Sequence, residues 1–274
     1  MSFPQFQHNL PYLTSATRLQ TLDICLPRPL TESSPERTFW VIYIHGGAWR
    51  DPAITSTSFQ PTLNLILNSA PETLPRIAGF ASLNYRLSPY PSHPTDPSRP
   101  DDAARNARHP DHLEDVTAAL RWLSREYNVG SVGRGPAYEY LLVGHSCGAT
   151  LAFQALRELA ARRGDYSPRS GYGDLAPPAA VVGLCGIYDI PLLVETHSHP
   201  AYREFVEAAF GKEEREWAKA SPVGGVGTLR DGDGEGGRCV VVLGHSVQDE
   251  LVDRNQRDAM VETLRGRGLR GRGG

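Results

Sequence analysis

The sequence predicts an α/β fold, in which a doubly wound, mostly parallel β-sheet is covered by helices on both faces. Five short apolar runs alternate with segments of helical periodicity, a pattern typical of parallel strands joined by crossover helices. With 274 residues, 40% of them hydrophobic and 22% charged, the chain has the length and composition of one large globular domain. The predicted strands are 40–44, 77–83, 140–143, 179–185 and 239–243.

An earlier stretch, 19–26, alternates apolar and polar residues. Leu22, Ile24 and Leu26 fall on one side of an extended chain, because successive side chains of a strand point to opposite faces. Alternation favours a strand with one solvated side over a fully buried strand. We therefore predict an antiparallel strand at the edge of the sheet.

Two helices have support in the local sequence. In 111–126, apolar residues recur at every third or fourth position and acidic residues occupy the first turns, where the helix dipole favours them. The segment after residue 148 has the same apolar period, and Gly164 is a suitable C-terminal stop. Both helices follow the spacing expected between parallel strands.

Two stretches interrupt the alternation of strands and helices. Residues 88–110 contain six prolines, so we predict an ordered excursion near the rim of the sheet. Residues 222–237 are rich in glycine and predict a flexible loop. We assign 1–264 to a single domain and 265–274, with four arginines, to a disordered tail. An RNA-binding segment is the alternative interpretation of that tail.

Charge and composition restrict the classes of partner. The formal net charge of -3 provides no general attraction to nucleic acid or to an anionic membrane. Four widely spaced cysteines without a CxxC pair indicate neither a zinc site nor a disulfide framework. The first residues lack the features of a secretory signal, and no apolar run approaches the roughly 20 residues needed to span a bilayer. We expect a cytoplasmic protein.

The motif Gly144-His145-Ser146-Cys147-Gly148 carries the strongest chemical signal. It follows a predicted strand and precedes a predicted helix, which is the setting in which a sharp turn exposes a serine as a nucleophile. In such a turn the amide of the next residue, here Cys147, faces the developing oxyanion. A chance match in a glycine-containing loop is the alternative. The strand and helix around the motif favour the nucleophile.

A second motif, His45-Gly46-Gly47-Ala48-Trp49, follows the first predicted parallel strand. Glycines at 46 and 47 would let a loop approach the substrate and donate backbone N–H groups to an oxyanion. A glycine turn with Trp49 as a packing residue is the alternative. Together the two motifs predict acyl-transfer chemistry.

The third member of the predicted site is Asp249, which follows the last predicted strand by a short loop. In this arrangement the chain order is serine, acid, histidine. Asp249 therefore occupies the position of the acid, although it could instead cap the helix predicted from residue 253 onward.

The 25 residues that follow Asp249, 250–274, contain no histidine. His245, with Asp189 as its acid, is an alternative base, but it lies one strand earlier than the usual order places it. His45 and His145 belong to the turn motifs and more readily hold loop backbone in place than transfer protons.

Five segments together resemble fungal kynurenine formamidase (arylformamidase), a family of the α/β-hydrolase superfamily, from about residue 19 to 252. The segments are 45–52, 84–89, 107–112, 144–150 and 244–252. The resemblance implies hydrolysis of N-formyl-L-kynurenine to L-kynurenine and formate in tryptophan degradation, without a metal or organic cofactor. It implies Ser146 as nucleophile, amides near Gly46, Gly47 and Cys147 as oxyanion donors, and Asp249 as the acid. Family members are commonly homodimers.

The chain departs from the family in one respect. Family members carry the catalytic histidine well beyond the acid, after one more strand, whereas this sequence continues into the arginine and glycine tail. We therefore expect the sequence to lack the last strand and helix of the fold, and to be inactive as it stands if the histidine is essential. The alternatives are a general carboxylesterase and a non-catalytic, hydrolase-like binding protein.

Overall fold

A computed structural model describes residues 2–161, 175–225 and 239–266 of the chain. Seven described strands form one sheet in the order β1-β2-β4-β3-β5-β6-β7. The strands are β1 (Gln5–Pro11), β2 (Thr21–Leu26), β3 (Phe39–Ile44), β4 (Ile77–Leu83), β5 (Glu139–His145), β6 (Ala180–Leu184) and β7 (Val240–Gly244).

All five predicted parallel strands are present, and the pairs from β4 to β7 are parallel. The antiparallel strand near residue 20 is confirmed as β2, but its predicted position at the edge is wrong. β2 pairs with β4 on one side and with β1 on the other, both antiparallel. The edge strand β1 was not predicted, because its half-exposed residues have no apolar alternation and its extended form depends on backbone pairing with β2.

Eight described helices connect and cover the strands. They are α1 (Gln60–Ser69), α2 (Asp111–Tyr127), α3 (Cys147–Ala161), α4 (Ile190–Thr196), α5 (Ala201–Phe210), α6 (Glu214–Ala220), α7 (Pro222–Gly225) and α8 (Arg254–Arg265). The predicted helix 111–126 is confirmed as α2, and Asn128 in the left-handed conformation ends it. The helix after residue 148 is confirmed as α3, although Gly164 lies outside the described residues.

Apolar cores lie on both faces of the sheet, as a doubly wound fold requires. Alternate residues of β3 belong to different clusters: Ile42 packs with the α2 and α3 side chains, whereas Tyr43 packs with Phe59 and with Leu63 of α1. The helices therefore divide between the two faces. The carboxyl ends of the parallel strands β3, β5, β6 and β7 lie at the same end of the sheet.

The segments that interrupt the alternation differ in structure. Residues 88–110 fold against the domain: the Ser88 amide donates to the Trp49 carbonyl at 2.7 Å, and a 3-10 turn spans Ala103–Arg105. The first residues of the predicted glycine loop instead form the short helix α7. The remainder of that loop, and residues 267–274 of the predicted tail, lie outside the described residues.

Among the described strands, β7 pairs only with β6. Val240 is 57% exposed and Val242 is 47% exposed on this strand, and the neighbouring Leu184 of β6 is also exposed. Val242 pairs with Val182, and Leu184 lies two residues beyond Val182 on β6. Val240, Val242 and Leu184 therefore lie on the same face of the sheet. The part of the sheet around β7 is therefore covered much less than its centre.

Candidate active site

Ser146 lies in the sharp turn between β5 and α3. Its φ angle is +54°, a left-handed value that side-chain-bearing residues other than Asn and Asp rarely adopt, and such strain is common at functional sites. The Ser146 amide donates to the Leu184 carbonyl at 3.0 Å, and its carbonyl accepts from the Ala149 amide at 3.0 Å. The side chain is only half-buried. The turn therefore places the Ser146 side chain at the carboxyl end of the parallel strands.

The two glycines of the motif permit close backbone contacts around this turn. A Cβ at Gly144 would lie 2.4 Å from the Gly148 carbonyl oxygen, and a Cβ at Gly148 would lie 2.2 Å from the Ile44 carbonyl oxygen. Real Cβ atoms do not approach backbone so closely, so neither position accepts a side chain without a backbone shift. The glycine spacing thus reflects the packing of α3 onto the ends of β3 and β5.

The loop that follows β3 contacts the serine turn directly. A Cβ built on Gly46 would lie 3.0 Å from Cβ of Ser146. The next three residues are left-handed, with φ angles of +94° at Gly47, +49° at Ala48 and +58° at Trp49. The structure therefore brings together the two sequence motifs, which lie about one hundred residues apart in the chain. A side chain at position 46 would be tight against His145 and Ser146.

His45 is buried beneath this loop. Its Nδ1 lies 2.8 Å from the Gly46 carbonyl oxygen, and burial lowers the pKa of the imidazole to about 4. The ring is therefore neutral near pH 7, with the proton on Nδ1, because a carbonyl can only accept. Its ring stacks on Tyr85 with centroids 4.4 Å apart. His45 thus holds the backbone of its own loop in place through the Gly46 carbonyl, as its position in the motif predicted.

His145 differs from His45, because its side chain is exposed beside the turn. Although the residue is exposed overall, neighbouring protein groups partly desolvate the ring and lower the pKa of its imidazole, and the negative charge of Asp249 opposes that shift. Asp249 is therefore an electrostatic neighbour of the serine turn. Among the described residues, no histidine is hydrogen-bonded to the Ser146 hydroxyl.

Cys147 and Tyr85 connect the two motif loops. The Trp49 amide donates to Sγ of the fully buried Cys147 at 3.3 Å. The Tyr85 hydroxyl lies 3.0 Å from the His45 carbonyl oxygen and 3.6 Å from Sγ of Cys147. Tyr85 stands just beyond the carboxyl end of β4, next to β3 in the sheet. In the sequence, Tyr85 is one residue of the 84–89 segment, and no local pattern there indicates a role for it.

Asp249 forms a compact turn after β7. Its Oδ1 accepts the amides of Leu251 and Val252, both at 2.9 Å. Burial opposes ionisation of Asp249, but these two amides and the Cys185 thiol outweigh it and hold the pKa of the carboxyl below its ordinary value. The helix cap considered as the alternative is supplied by Asp253, whose side chain accepts the Asn255 amide. Asp249 is therefore an ionised carboxylate that does not cap α8.

The alternative pair of His245 and Asp189 is not assembled. Oδ1 of Asp189 accepts the Leu192 amide at 3.1 Å and caps α4. His245 is half-buried, and its Nδ1 has no hydrogen-bond partner among the described residues. Its proximity helps to lower the pKa of the Asp249 and Asp258 carboxyls. The structure thus places His245 near the predicted acid and not in a pair with Asp189.

The described part of the chain contains no group of three His, Cys, Asp or Glu residues arranged to hold a metal ion. Within the same ranges, no helix has the length and apolar character required to cross a membrane.

Three proteins from fungi are similar in sequence to most of this chain. A kynurenine formamidase of Aspergillus versicolor is 36% identical over 273 residues, which cover 93% of this chain and 85% of the relative. A kynurenine formamidase-like hydrolase of Fusarium equiseti is 39% identical over 219 residues, with 78% and 67% covered. A kynurenine formamidase of Meyerozyma guilliermondii is 34% identical over 229 residues, with 84% and 72% covered. No family model matches the chain.

Solved structures share the architecture at low sequence identity. Carboxyl esterase 2 of Tuber melanosporum superposes with a TM-score of 0.58 at 16% identity, covering 91% of this chain and 68% of the esterase. Esterase B of Lactobacillus rhamnosis gives a TM-score of 0.55 at 16% identity, with 96% and 85% covered. The chain therefore has the α/β-hydrolase fold. Within that class, it belongs to the kynurenine formamidase family.

Proposed function

We propose that this protein hydrolyses the aryl formamide N-formyl-L-kynurenine to L-kynurenine and formate, with Ser146 as the nucleophile. The main supporting observation is the contact between the strained Ser146 turn and the glycine loop at Gly46, 3.0 Å from Cβ to built Cβ. That contact brings the serine turn next to the loop whose backbone amides would face an oxyanion. The names of the relatives supply the substrate class.

In the proposed reaction, Oγ of Ser146 attacks the formyl carbon while a histidine accepts the hydroxyl proton. The amides of Gly46, Gly47 and Cys147 stabilise the resulting oxyanion, each donor contributing roughly 3 kcal/mol in comparable sites. The C–N bond then breaks, and the histidine returns the proton to the departing arylamine. Water attacks the formyl-serine, formate leaves, and Ser146 regains its proton. No metal or organic cofactor takes part.

Asp249 orients the histidine and stabilises its protonated form in this scheme. Its carboxyl suits the role because backbone amides favour its ionised form. The resemblance implies a histidine that follows the acid in the chain, and residues 250–266 contain none. The assay therefore compares two proteins: the chain as printed, and a chimera in which the residues after Arg265 are replaced by the carboxyl-terminal part of the Aspergillus versicolor relative.

We expect the chimera to hydrolyse N-formyl-L-kynurenine far faster than p-nitrophenyl acetate, and the printed chain to be slow on both. Ser146→Ala in the chimera should remove at least about 99.9% of turnover, as loss of a triad nucleophile does, with unchanged thermal unfolding. A strong preference for the simple ester would support a general carboxylesterase instead. A folded chimera without turnover on either substrate would support the non-catalytic binding protein.

A further inference from the structure

Tyr85 binds the carbonyl side of the loop whose amides are the proposed oxyanion donors. Its hydroxyl lies 3.0 Å from the His45 oxygen and 3.3 Å from the Gly46 oxygen. These oxygens belong to the two peptide groups whose nitrogens are those of Gly46 and Gly47. Tyr85 therefore contacts the reverse side of both proposed donors, without touching substrate itself.

Peptide geometry gives this contact a consequence for catalysis. In a planar trans peptide the C=O and N–H bonds point in opposite directions. The single hydrogen of the Tyr85 hydroxyl is shared between the two carbonyl oxygens, with the His45 oxygen nearer. This contact directs the N–H groups of Gly46 and Gly47 away from Tyr85. Hydrogen bonds to a carbonyl also polarise the amide and strengthen its N–H as a donor. His45 reinforces the second peptide, because its Nδ1 lies 2.8 Å from the same Gly46 oxygen.

The surroundings of Tyr85 hold its hydroxyl in place. The residue is 1% exposed, its ring stacks on His45, and it meets His112 edge-on with centroids 6.1 Å apart. The hydroxyl also lies 3.6 Å from Sγ of Cys147, the residue that carries the third proposed donor. One phenol therefore spans both motif loops.

We propose that Tyr85 is a positioning residue, whose hydroxyl orients the Gly46 and Gly47 amides toward the oxyanion and ties them to the Cys147 turn. The proposal rests on the function proposed above. Under this proposal Tyr85, just beyond the carboxyl end of β4, contributes to transition-state stabilisation through its hydroxyl. Packing of its ring alone would not provide that contribution.

The test uses the chain as printed and the chimera described above. Each is titrated with an arylboronic acid, which forms a tetrahedral adduct with a serine hydroxyl and places an oxygen at the oxyanion position. Tyr85→Phe keeps the ring and removes the hydroxyl. Tyr140→Phe is the matched control, because Tyr140 is equally buried and its hydroxyl donates to the Ala176 carbonyl at 2.7 Å, on a different loop. Ser146→Ala identifies the adduct, which is followed by ¹¹B NMR and calorimetry.

We expect Tyr85→Phe to weaken boronate binding at least about tenfold, below the loss seen when an oxyanion donor is itself removed. Tyr140→Phe should bind boronate like the unaltered chain, even where both variants lose similar stability. Equal boronate affinity in Tyr85→Phe and the unaltered chain, or equal weakening in both variants, would overturn the role of Tyr85 alone. No adduct in either the unaltered chain or the chimera would overturn the assignment of Ser146 as well.

Discussion

Ser146 and Asp249, the proposed nucleophile and the proposed acid, lie at the same end of one sheet, but their surroundings are opposite in character. Around Ser146, backbone packs so closely that a Cβ at Gly148 would lie 2.2 Å from a carbonyl oxygen. Around Asp249, Leu251 is 74% exposed and Val247 is 89% exposed. The serine is thus positioned by long-range backbone packing, whereas the acid is positioned by its own turn. We expect the two regions to respond differently to the same kind of change.

The largest expected effect is a loss of kcat when Asp249, the proposed acid, is replaced. Asp249→Asn keeps an oxygen that can accept the Leu251 and Val252 amides, so the turn should persist. It removes the charge that stabilises a protonated histidine, and the corresponding change in a serine protease lowers kcat about 10⁴-fold. We expect a loss of that order in the chimera on N-formyl-L-kynurenine.

Urea unfolding of the same Asp249→Asn protein provides the control, with an expected change of at most about 1 kcal/mol. Retention of full activity would remove Asp249 from the mechanism. A large loss of stability would show that the carboxylate holds more than its own turn.

The second prediction compares Gly144, near the carboxyl end of β5, with Gly244, at the carboxyl end of β7. A Cβ at Gly144 would meet backbone of Gly148 and Ala149 within 2.5 Å, whereas a Cβ at Gly244 would meet only the side-chain end of Leu184, at 2.9 Å. Backbone cannot move aside as an exposed leucine can. We expect Gly144→Ala to cost about 3 kcal/mol or more in the free energy of unfolding, and Gly244→Ala about 1 kcal/mol or less.

Urea unfolding of both glycine variants at pH 7 measures this difference. Similar losses of stability in Gly144→Ala and Gly244→Ala would contradict the contrast between the two regions, namely close backbone packing around Ser146 and open surroundings near Asp249. If Gly144→Ala does not fold, hydrogen exchange of Gly244→Ala still tests the tolerant side.

The third prediction concerns acid sensitivity on the nucleophile side. Burial lowers the pKa of His45 to about 4 and that of His112 to about 3. The unfolded chain binds protons at both residues below about pH 6.5, whereas the folded protein does not, so stability falls as pH decreases from 6.5 toward 4. At pH 5 each histidine should cost about 2 kcal/mol relative to pH 7.

Urea unfolding at pH 7 and pH 5 tests this prediction, with His112→Gln as the control that should remove the share of one histidine. An unfolding free energy of the unaltered chain that is the same at both pH values would contradict it. An unchanged pH dependence in His112→Gln would assign the loss to other groups.

Much of the fold could be predicted because its signals are local. Each parallel strand is an apolar run of a few residues, and the serine turn has its two glycines within five positions. The edge was misplaced for the opposite reason. β1 has little apolar surface to bury, and only its pairing with β2 makes it a strand.

The candidate site divides in the same way. Ser146 and the glycine loop were predicted because each motif reports a local backbone requirement: left-handed φ, or the absence of a Cβ. The role of Tyr85 could not be predicted, since its partners His45 and Cys147 lie 40 and 62 positions away in the chain. Its hydroxyl reaches them only because β4 lies beside β3 in the sheet.

The sequence by itself determined the α/β class, the serine turn and the chemistry that these residue types permit. These follow from short-range periodicity and from conformations that only certain residues adopt. Tertiary structure alone decided that Gly46 touches Ser146, that the Tyr85 hydroxyl lies against the His45 and Gly46 carbonyls, and that the strand before Asp249 is lightly covered. Contacts of this kind depend on which strands become neighbours, and strand order is a property of the whole folded chain.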